Sequence, residues 1–316
     1  MSDVAVVGAG AWGTALAIQA ARAGRRVTLW ARDPASVLGR ENPRLPGFSL
    51  PDAVRVTGAL PSAALVLLAV PLQHMRAVVA GLPPGGPLVA CAKGVEANTH
   101  RLPLEVLAEI HPGRPAAVLT GPNFAHEVAA GLPAATVAAA VEEAVREAVA
   151  EALGTPAFRI YGNDDPVGAQ VGGAAKNVVA IAAGAVIGAG LGENARAALV
   201  TRGLAELARL AVALGGRADT VAGLSGLGDL MLTCSGAASR NFSLGFALGR
   251  GERLEHVLGR RHAVTEGVAT APALVARAAE LGAELPVCAA VAGIVTGRFT
   301  LLQVMDRLLA RPRKDE

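Results

Sequence analysis

Two lysines stand out as groups that could carry acid–base chemistry. Only three of the 29 lysines and arginines in the 316-residue chain are lysines, and Lys314 lies in a charged tail. The other two, Lys93 and Lys176, lie beside glycines in apolar segments. Unlike a guanidinium, an ammonium group that is desolvated beside another cation can give up its proton. Lys176, with Lys93 as the second cation, is therefore suited to take the proton of a hydroxyl group while a hydride leaves the carbon.

Two segments in the second half of the chain could present a carboxylate or bind an anion. Residues 223–230 predict a glycine-rich turn that presents one carboxylate, Asp229. Ser239 is suited to cap a helix that begins with Arg240 and Asn241. Because the first turn of a helix has free N–H groups, this helix start predicts an anion site.

Gly8, Gly10 and Gly13 match the G-x-G-x-x-G pattern of dinucleotide-binding turns. The pattern follows an apolar strand predicted for residues 4–7 and opens a helix predicted for residues 12–23. The first glycine permits the tight turn, the second lets the backbone approach a pyrophosphate, and the third lets helix and strand pack closely. The sequence therefore predicts a dinucleotide at the start of this helix.

The second predicted strand, residues 27–30, runs into Arg32 and Asp33. An acidic residue at this position holds the ribose 2′-hydroxyl of NAD, whereas an arginine accommodates the 2′-phosphate of NADP. Because the arginine comes first, we expect the cofactor to be NADPH or NADH, with NADPH accepted.

The chemistry needs a fold that brings strand ends together. Further apolar strands are predicted at residues 54–57, 65–70, 88–92 and 116–119, and helices fill most of the gaps. Strands that alternate with helices predict an α/β fold, an N-terminal Rossmann-type, doubly wound parallel sheet. Lys93 and residues 120–125 follow two of these strands, at the edge where ligands of open α/β sheets bind.

The pattern changes after residues 158–161. Residues 162–166 predict a turn and a helix start, and helical stretches rich in alanine, leucine and glycine follow to about residue 310. We predict a dinucleotide-binding Rossmann domain over residues 1–164 and an all-α substrate-binding domain over residues 165–316. The apolar run 178–192 is 15 residues long, and spanning a bilayer takes about 20. A buried helix is therefore expected there.

Composition limits the other classes of function. The formal net charge is +3, and the basic residues form no run that would mark a nucleic-acid-binding face. Cys91, Cys234 and Cys288 lie far apart, which predicts neither a metal site nor a disulfide framework and fits a reduced cytoplasm. The chain opens on a strand pattern, so no signal peptide is expected. The expected partners are small molecules, and neither nucleic-acid binding nor membrane insertion is expected. The sequence is compatible with a homodimer.

Together these segments resemble the NAD(P)-dependent sn-glycerol-3-phosphate dehydrogenase family of bacterial type. Eight blocks follow one another in the family's order over nearly the whole chain. The blocks are residues 8–15 (GAGAWGTA), 42–47 (NPRLPG), 92–96 (AKGVE), 120–128 (TGPNFAHEV), 172–179 (GGAAKNVV), 194–206 (NARAALVTRGLAE), 223–234 (GLSGLGDLMLTC) and 239–241 (SRN).

The resemblance implies an activity and roles for individual residues. The activity is the reversible reduction of dihydroxyacetone phosphate, a three-carbon substrate, to sn-glycerol 3-phosphate for phospholipid synthesis. Lys176 would be the proton acceptor. The resemblance assigns substrate contacts to Lys93, Gly121, Asn123, Lys176, Asp229, Ser239, Arg240 and Asn241. The resemblance, together with the glycine pattern, assigns cofactor contacts to Gly8, Gly10, Ala11, Trp12, Gly13, Arg32, Lys93, Ala125, Arg240, Val264 and Glu266.

Three features depart from the family pattern. Ala11 stands where serine is frequent, so a hydroxyl contact to phosphate is lost. Asn123 also stands where serine is common, and the loop after Asn42 lacks the aromatic residue often found before residues 45–47. These departures bear on affinity more than on the type of reaction.

Two alternatives stay open. A related β-hydroxyacid dehydrogenase also has a lysine early in a helical domain, but its substrate carries a carboxylate, and the blocks at 223–229 and 239–241 argue against it. A dinucleotide-sensing protein without catalysis is the other, and the presence of Lys93, Lys176 and Asp229 together argues against that.

Overall fold

The first unit of the fold is built on a single eight-stranded sheet. The computed structural model describes residues 2–37, 40–260 and 265–310. The strand order is β3-β2-β1-β4-β5-β6-β7-β8, and every neighbouring pair is parallel except β6 with β7. The strands are β1 (Ser2–Val7), β2 (Val27–Trp30), β3 (Val54–Thr57), β4 (Ala63–Leu68), β5 (Leu88–Ala90), β6 (Ala116–Thr120), β7 (Ala134–Ala139) and β8 (Phe158–Asn163).

This sheet has a switch point between β1 and β4. From β1 the chain moves to β2 and β3 on one side, and it then returns to β4 and moves outward on the other. Right-handed crossovers in opposite directions place helices on opposite faces, and ligands bind beyond the strand ends at such a point. The helices of this unit are α1 (Ala11–Arg22), α2 (Leu72–Val79), α3 (Pro103–Ile110), α4 (Ala125–Ala130) and α5 (Glu143–Leu153).

The sequence predicted this α/β sheet well but named neither β7 nor β8 as a strand. β7 reads Ala-Ala-Thr-Val-Ala-Ala, and alanine favours helices over strands. Burial between β6 and β8 overrides that preference, because the chain turns back after α4 and pairs antiparallel to β6. The sheet is therefore mixed rather than wholly parallel.

The second unit is helical and comprises residues 94–101 together with residues 171–316. The division from the first unit falls inside α6, between residues 170 and 171; the boundary predicted after residue 164 stays a prediction. The helices are α6 (Pro166–Gly188), α7 (Gly192–Ala213), α8 (Ala218–Ala222), α9 (Asp229–Cys234), α10 (Arg240–Gly249), α11 (Leu254–Gly259), α12 (Glu266–Glu280), α13 (Pro286–Val295) and α14 (Leu301–Leu309).

Helix α6 forms the central support of the second unit. It is apolar and long enough to cross a membrane, but 78% of its apolar stretch is buried inside the fold, so the predicted buried helix is confirmed. Its contact with α10 depends on glycine at four positions. A Cβ on Gly184 would lie 2.0 Å from the Phe242 carbonyl oxygen, and one on Gly245 would lie 1.9 Å from the Ile181 carbonyl oxygen. The two backbones therefore touch, which fixes α10 against the helix that carries Lys176.

Candidate functional site

The turn between β1 and α1 uses its three glycines in different ways. Gly8 has φ +119°, and a Cβ there would lie 2.8 Å from the Ala69 carbonyl carbon. A Cβ on Gly13 would lie 1.9 Å from the Gly8 carbonyl oxygen. Gly10, in contrast, has φ −78°, and in the described part of the chain its Cβ would meet no neighbouring atom within 4 Å. The fold itself requires Gly8 and Gly13, whereas the open space at Gly10 fits a ligand that approaches the backbone.

The start of α1 is electrostatically suited to a pyrophosphate. Gly10 is the N-cap, so it has no side chain to occupy the first N–H groups, and the first turn contains no acidic residue. Ala11 and Trp12 are half-buried at this end of the helix. Free N–H groups and the positive end of the helix dipole favour an anion here. The residues present therefore fit the phosphates of a dinucleotide.

The end of β2 presents the residues expected to distinguish NADPH from NADH. Arg32 and Asp33 are both exposed. One carboxylate oxygen of Asp33 accepts a hydrogen bond from the Ala35 amide at 3.1 Å and caps the turn Pro34–Ser36. The carboxylate is thus engaged in its own turn, beside an exposed guanidinium.

Lys93 lies just beyond β5, next to the loop that follows β6. Its Nζ donates to the Gly121 carbonyl oxygen at 3.2 Å. A Cβ on Gly121 would lie 2.9 Å from Thr136 Cα, so glycine lets this loop lie against β7. The Asn123 amide nitrogen donates to the carbonyls of Pro122 and Ala135 at 2.8 and 3.0 Å. These bonds bring Lys93, Gly121 and Asn123 together beyond the carboxyl ends of β5 and β6.

Asn123 has a buried acceptor that no described residue satisfies. Its Oδ1 is buried and has no hydrogen-bond partner among the described residues. An unsatisfied buried acceptor costs about 1–3 kcal/mol, which a ligand hydroxyl or amide could recover. Ala125 follows as the first residue of α4, whose N-cap, Phe124, offers no side-chain hydrogen bond.

Lys176 pairs with Asp229 inside the second unit. The ammonium donates to Asp229 Oδ1, and both side chains are removed from water, with exposed fractions of 8% and 0%. The Thr233 hydroxyl donates to the Asp229 backbone carbonyl at 2.6 Å. The glycine-rich turn predicted at residues 223–230 does lead into Asp229, and the carboxylate is buried against the lysine. Lys93 belongs to the first unit, so its role as a second cation stays a prediction.

A π-helical turn places Asp229 at that position. Residues 224–228 form the turn, and Asp229 begins α9 directly after it. Gly172 lies four residues before Lys176, on the same face of α6. A Cβ on Gly172 would lie 2.6 Å from the Ser225 carbonyl oxygen. Because both Gly172 and Gly226 lack side chains, the turn packs on α6 and its end meets Lys176.

The predicted cap of α10 is confirmed. Ser239 is the N-cap, and its hydroxyl oxygen accepts from the Phe242 amide at 3.2 Å. Arg240 is the first helical residue and is exposed, and no acidic residue occupies the first turn. The helix start therefore combines N–H groups with a guanidinium, as anion binding requires.

A chain of amides joins this helix start to the Lys176 region. Asn241 donates through Nδ2 to Asn177 Oδ1 at 2.9 Å, and its own Oδ1 accepts from the Gly267 amide at 3.1 Å. Asn177 in turn donates to Glu266 Oε2 at 3.3 Å. Because Asn177 follows Lys176 in the chain, this network joins the α10 start and the α12 start to the segment of α6 that carries the lysine.

Sequence reasoning did not single out Asn177 or Thr233, although both lie inside the quoted blocks 172–179 and 223–234. The available signals were a polar residue directly after Lys176 and another one helical turn after Asp229. Val264, expected to contact the cofactor, lies outside the described residues.

The thiol nearest this network is unsuited to proton transfer. Burial raises the pKa of Cys234 to about 12, although the charges of Lys176 and Arg196 act in the opposite direction. The thiol therefore stays protonated near neutral pH, and the amine and carboxylate remain the groups able to act.

Comparison with known proteins identifies the family. The family models for the N-terminus and the C-terminus of NAD-dependent glycerol-3-phosphate dehydrogenase match residues 3–146 and 165–306. A glycerol-3-phosphate dehydrogenase [NAD(P)+] from Acidiphilium cryptum is 57% identical, covering 99% of this chain and 98% of its own length. One from Gluconobacter oxydans is 51% identical, with 98% and 97% covered.

A solved structure gives the same result for the fold. The crystal structure of glycerol-3-phosphate dehydrogenase from Coxiella burnetii superposes with a TM-score of 0.92 at 35% identity, covering 98% of each chain. The match extends over both halves of the chain. This chain therefore belongs to the NAD-dependent glycerol-3-phosphate dehydrogenase family.

Proposed function

We propose that this chain catalyses the reversible, NAD(P)-dependent reduction of dihydroxyacetone phosphate to sn-glycerol 3-phosphate. Its family supplies the reaction type. The observation that carries the proposal is the buried Lys176–Asp229 pair, which the amide chain links to the anion-binding start of α10. Dihydroxyacetone phosphate has two functional groups that match this arrangement. Its carbonyl group fits the ammonium of Lys176, and its phosphate fits the start of α10.

The first unit provides the cofactor site. The turn at Gly8, Gly10 and Gly13 and the start of α1 at Ala11 and Trp12 hold the pyrophosphate. Arg32 accepts the 2′-phosphate of NADPH, and its exposure beside the engaged Asp33 supports acceptance of NADPH. Further cofactor contacts come from Lys93, Ala125, Arg240, Val264 and Glu266. The reduced nicotinamide, when bound, supplies the hydride.

The second unit provides the proton and most of the phosphate contacts. Lys176 donates a proton to the carbonyl oxygen during reduction and accepts it during oxidation. Asp229 holds the ammonium at that position, so that proton transfer begins from a fixed geometry. Ser239, Arg240 and Asn241 bind the phosphate.

The first unit adds the remaining substrate contacts. Lys93 offers an ammonium and Gly121 a backbone group. Asn123 offers the buried oxygen that lacks a partner among the described residues. That oxygen can accept a hydrogen bond from a substrate hydroxyl, which supports an asparagine in place of the usual serine.

We also propose the setting of the reaction. The product supplies phospholipid synthesis, and the protein acts in the cytoplasm, either alone or as a homodimer. The burial of α6 within the fold supports the absence of membrane insertion.

Absorbance at the nicotinamide band tests the function. The purified protein is mixed with dihydroxyacetone phosphate and, in parallel, with NADPH and NADH. Oxidation of either cofactor supports the proposal. Binding of cofactor with no turnover would favour a sensing protein, and turnover of a β-ketoacid in place of dihydroxyacetone phosphate would favour a β-hydroxyacid dehydrogenase.

A further inference from the structure

The loop that contains the motif 42–47 is held closed by its own backbone. The Leu50 amide donates to the Arg40 carbonyl oxygen at 2.8 Å, and Glu41 and Ser49 form an antiparallel bridge. Leu45 and Leu50 are buried in the core of the first unit. None of the substrate or cofactor roles above explains why a polar residue, Asn42, should be buried in this loop.

Asn42 is fully buried, and every polar atom of its side chain is used. Its Nδ2 donates to the Ala9 carbonyl oxygen at 2.9 Å and to the Thr14 hydroxyl at 2.7 Å. Its Oδ1 accepts from the Arg44 amide at 3.0 Å. One carboxamide thus joins the loop to the peptide before Gly10 and to the first turn of α1.

We propose that Asn42 is a positioning residue of the cofactor site, which fixes the orientation of the Ala9–Gly10 peptide and so governs dinucleotide affinity without touching the dinucleotide. This inference rests on the proposed function for the identity of the cofactor. In a trans peptide the C=O and N–H groups point in opposite directions. A donor that holds the Ala9 carbonyl oxygen on the loop side therefore directs the Gly10 N–H away from the loop.

The orientation matters because of what lies on the other side of that peptide. A Cβ on Gly10 would meet open space, where the pyrophosphate is expected. If the peptide rotated, its carbonyl oxygen would face the phosphates, and a favourable N–H contact would become a repulsion between two negative groups. Asn42 prevents this rotation from outside the binding space.

The test compares Asn42→Ala and Asn42→Ser with two controls. Thr14→Val removes the second acceptor but leaves the bond to Ala9. Leu50→Ala removes an apolar anchor of the same loop and leaves the carboxamide. Dissociation constants of NADPH and of NADH are measured by calorimetry without substrate, together with the melting temperature of each variant.

Both Asn42 variants should bind NADPH and NADH about tenfold more weakly, which corresponds to about 1.4 kcal/mol. The factor should be the same for both cofactors, because the turn is common to them. Thr14→Val should stay within about twofold of wild type, and Leu50→Ala should lower the melting temperature but keep its affinity within the same limit.

Either of two results would overturn the proposal: wild-type affinity in the Asn42 variants, or an equal loss of affinity in Leu50→Ala. If one Asn42 variant does not fold, the other decides. Failure of the proposed function is distinguishable, because it appears as absent turnover in a wild-type protein that still binds cofactor.

Discussion

Replacing Asp229 with asparagine tests the most unusual feature of the second unit. The substitution keeps the size of the side chain but removes its charge. Lys176 then remains as a buried ammonium without its carboxylate. Breaking a buried pair from one side costs about 3–5 kcal/mol. For a unit of this size each kcal/mol lowers the melting temperature by about 2–4 °C, so we expect a decrease of about 6–20 °C.

The same substitution should also slow the reaction. With its carboxylate gone, the ammonium is no longer held at one position, and acid–base assistance is typically worth about 10²–10⁴ in rate. Turnover with dihydroxyacetone phosphate should therefore fall within that range under conditions where the variant is folded.

Asp219→Asn is the matched control. Asp219 lies exposed in the first turn of α8, where its charge contributes about 0.3–1 kcal/mol through the helix dipole. Melting is followed by circular dichroism for both variants and wild type, and turnover is followed at the nicotinamide band. The reasoning is refuted if Asp229→Asn melts no lower than Asp219→Asn or retains wild-type turnover.

Three further substitutions test other parts of the account. Arg240→Ala should raise the Michaelis constant for dihydroxyacetone phosphate and blunt competition by inorganic phosphate; unchanged values for both would place the anion site elsewhere. Arg32→Ala should weaken the binding of NADPH by about 1.5–3 kcal/mol and that of NADH far less. Equal losses of binding free energy, measured by calorimetry, would rule out contact with the 2′-phosphate. Burial raises the pKa of Glu206, although it accepts from the amides of Val287 and Cys288. Because the folded pKa exceeds the unfolded value, its stabilising contribution is complete below about pH 4.3 and is lost as pH rises through the folded pKa. The melting temperature of Glu206→Gln should therefore rise relative to that of wild type as pH increases from about 4. A difference between the two that does not depend on pH would contradict this.

The first unit was predictable because its signals are local. Apolar strands and the spacing of Gly8, Gly10 and Gly13 are patterns that lie within a few residues of one another. β7 was missed because its alanines form a strand only between two buried neighbours. That pairing depends on the returning chain and leaves no local pattern.

The environment of Lys176 was the least predictable part of the site. The sequence identified Lys176 and Asp229 separately, but their pairing depends on packing of the π-helical turn against Gly172. The buried carboxamide of Asn42 likewise bridges to Ala9, which is 33 residues away. Both cases depend on contacts between segments far apart in the chain, which residue types alone do not reveal.

The most direct test of the account is the turnover of Lys176→Arg with dihydroxyacetone phosphate and NADPH. Arginine keeps the positive charge next to Asp229 but does not give up its proton at working pH. The wild-type protein should oxidise NADPH, and the variant should lose about 10²–10⁴ in rate while it still binds the cofactor. A variant that retains more than half of wild-type turnover would contradict the claim that Lys176 transfers the proton.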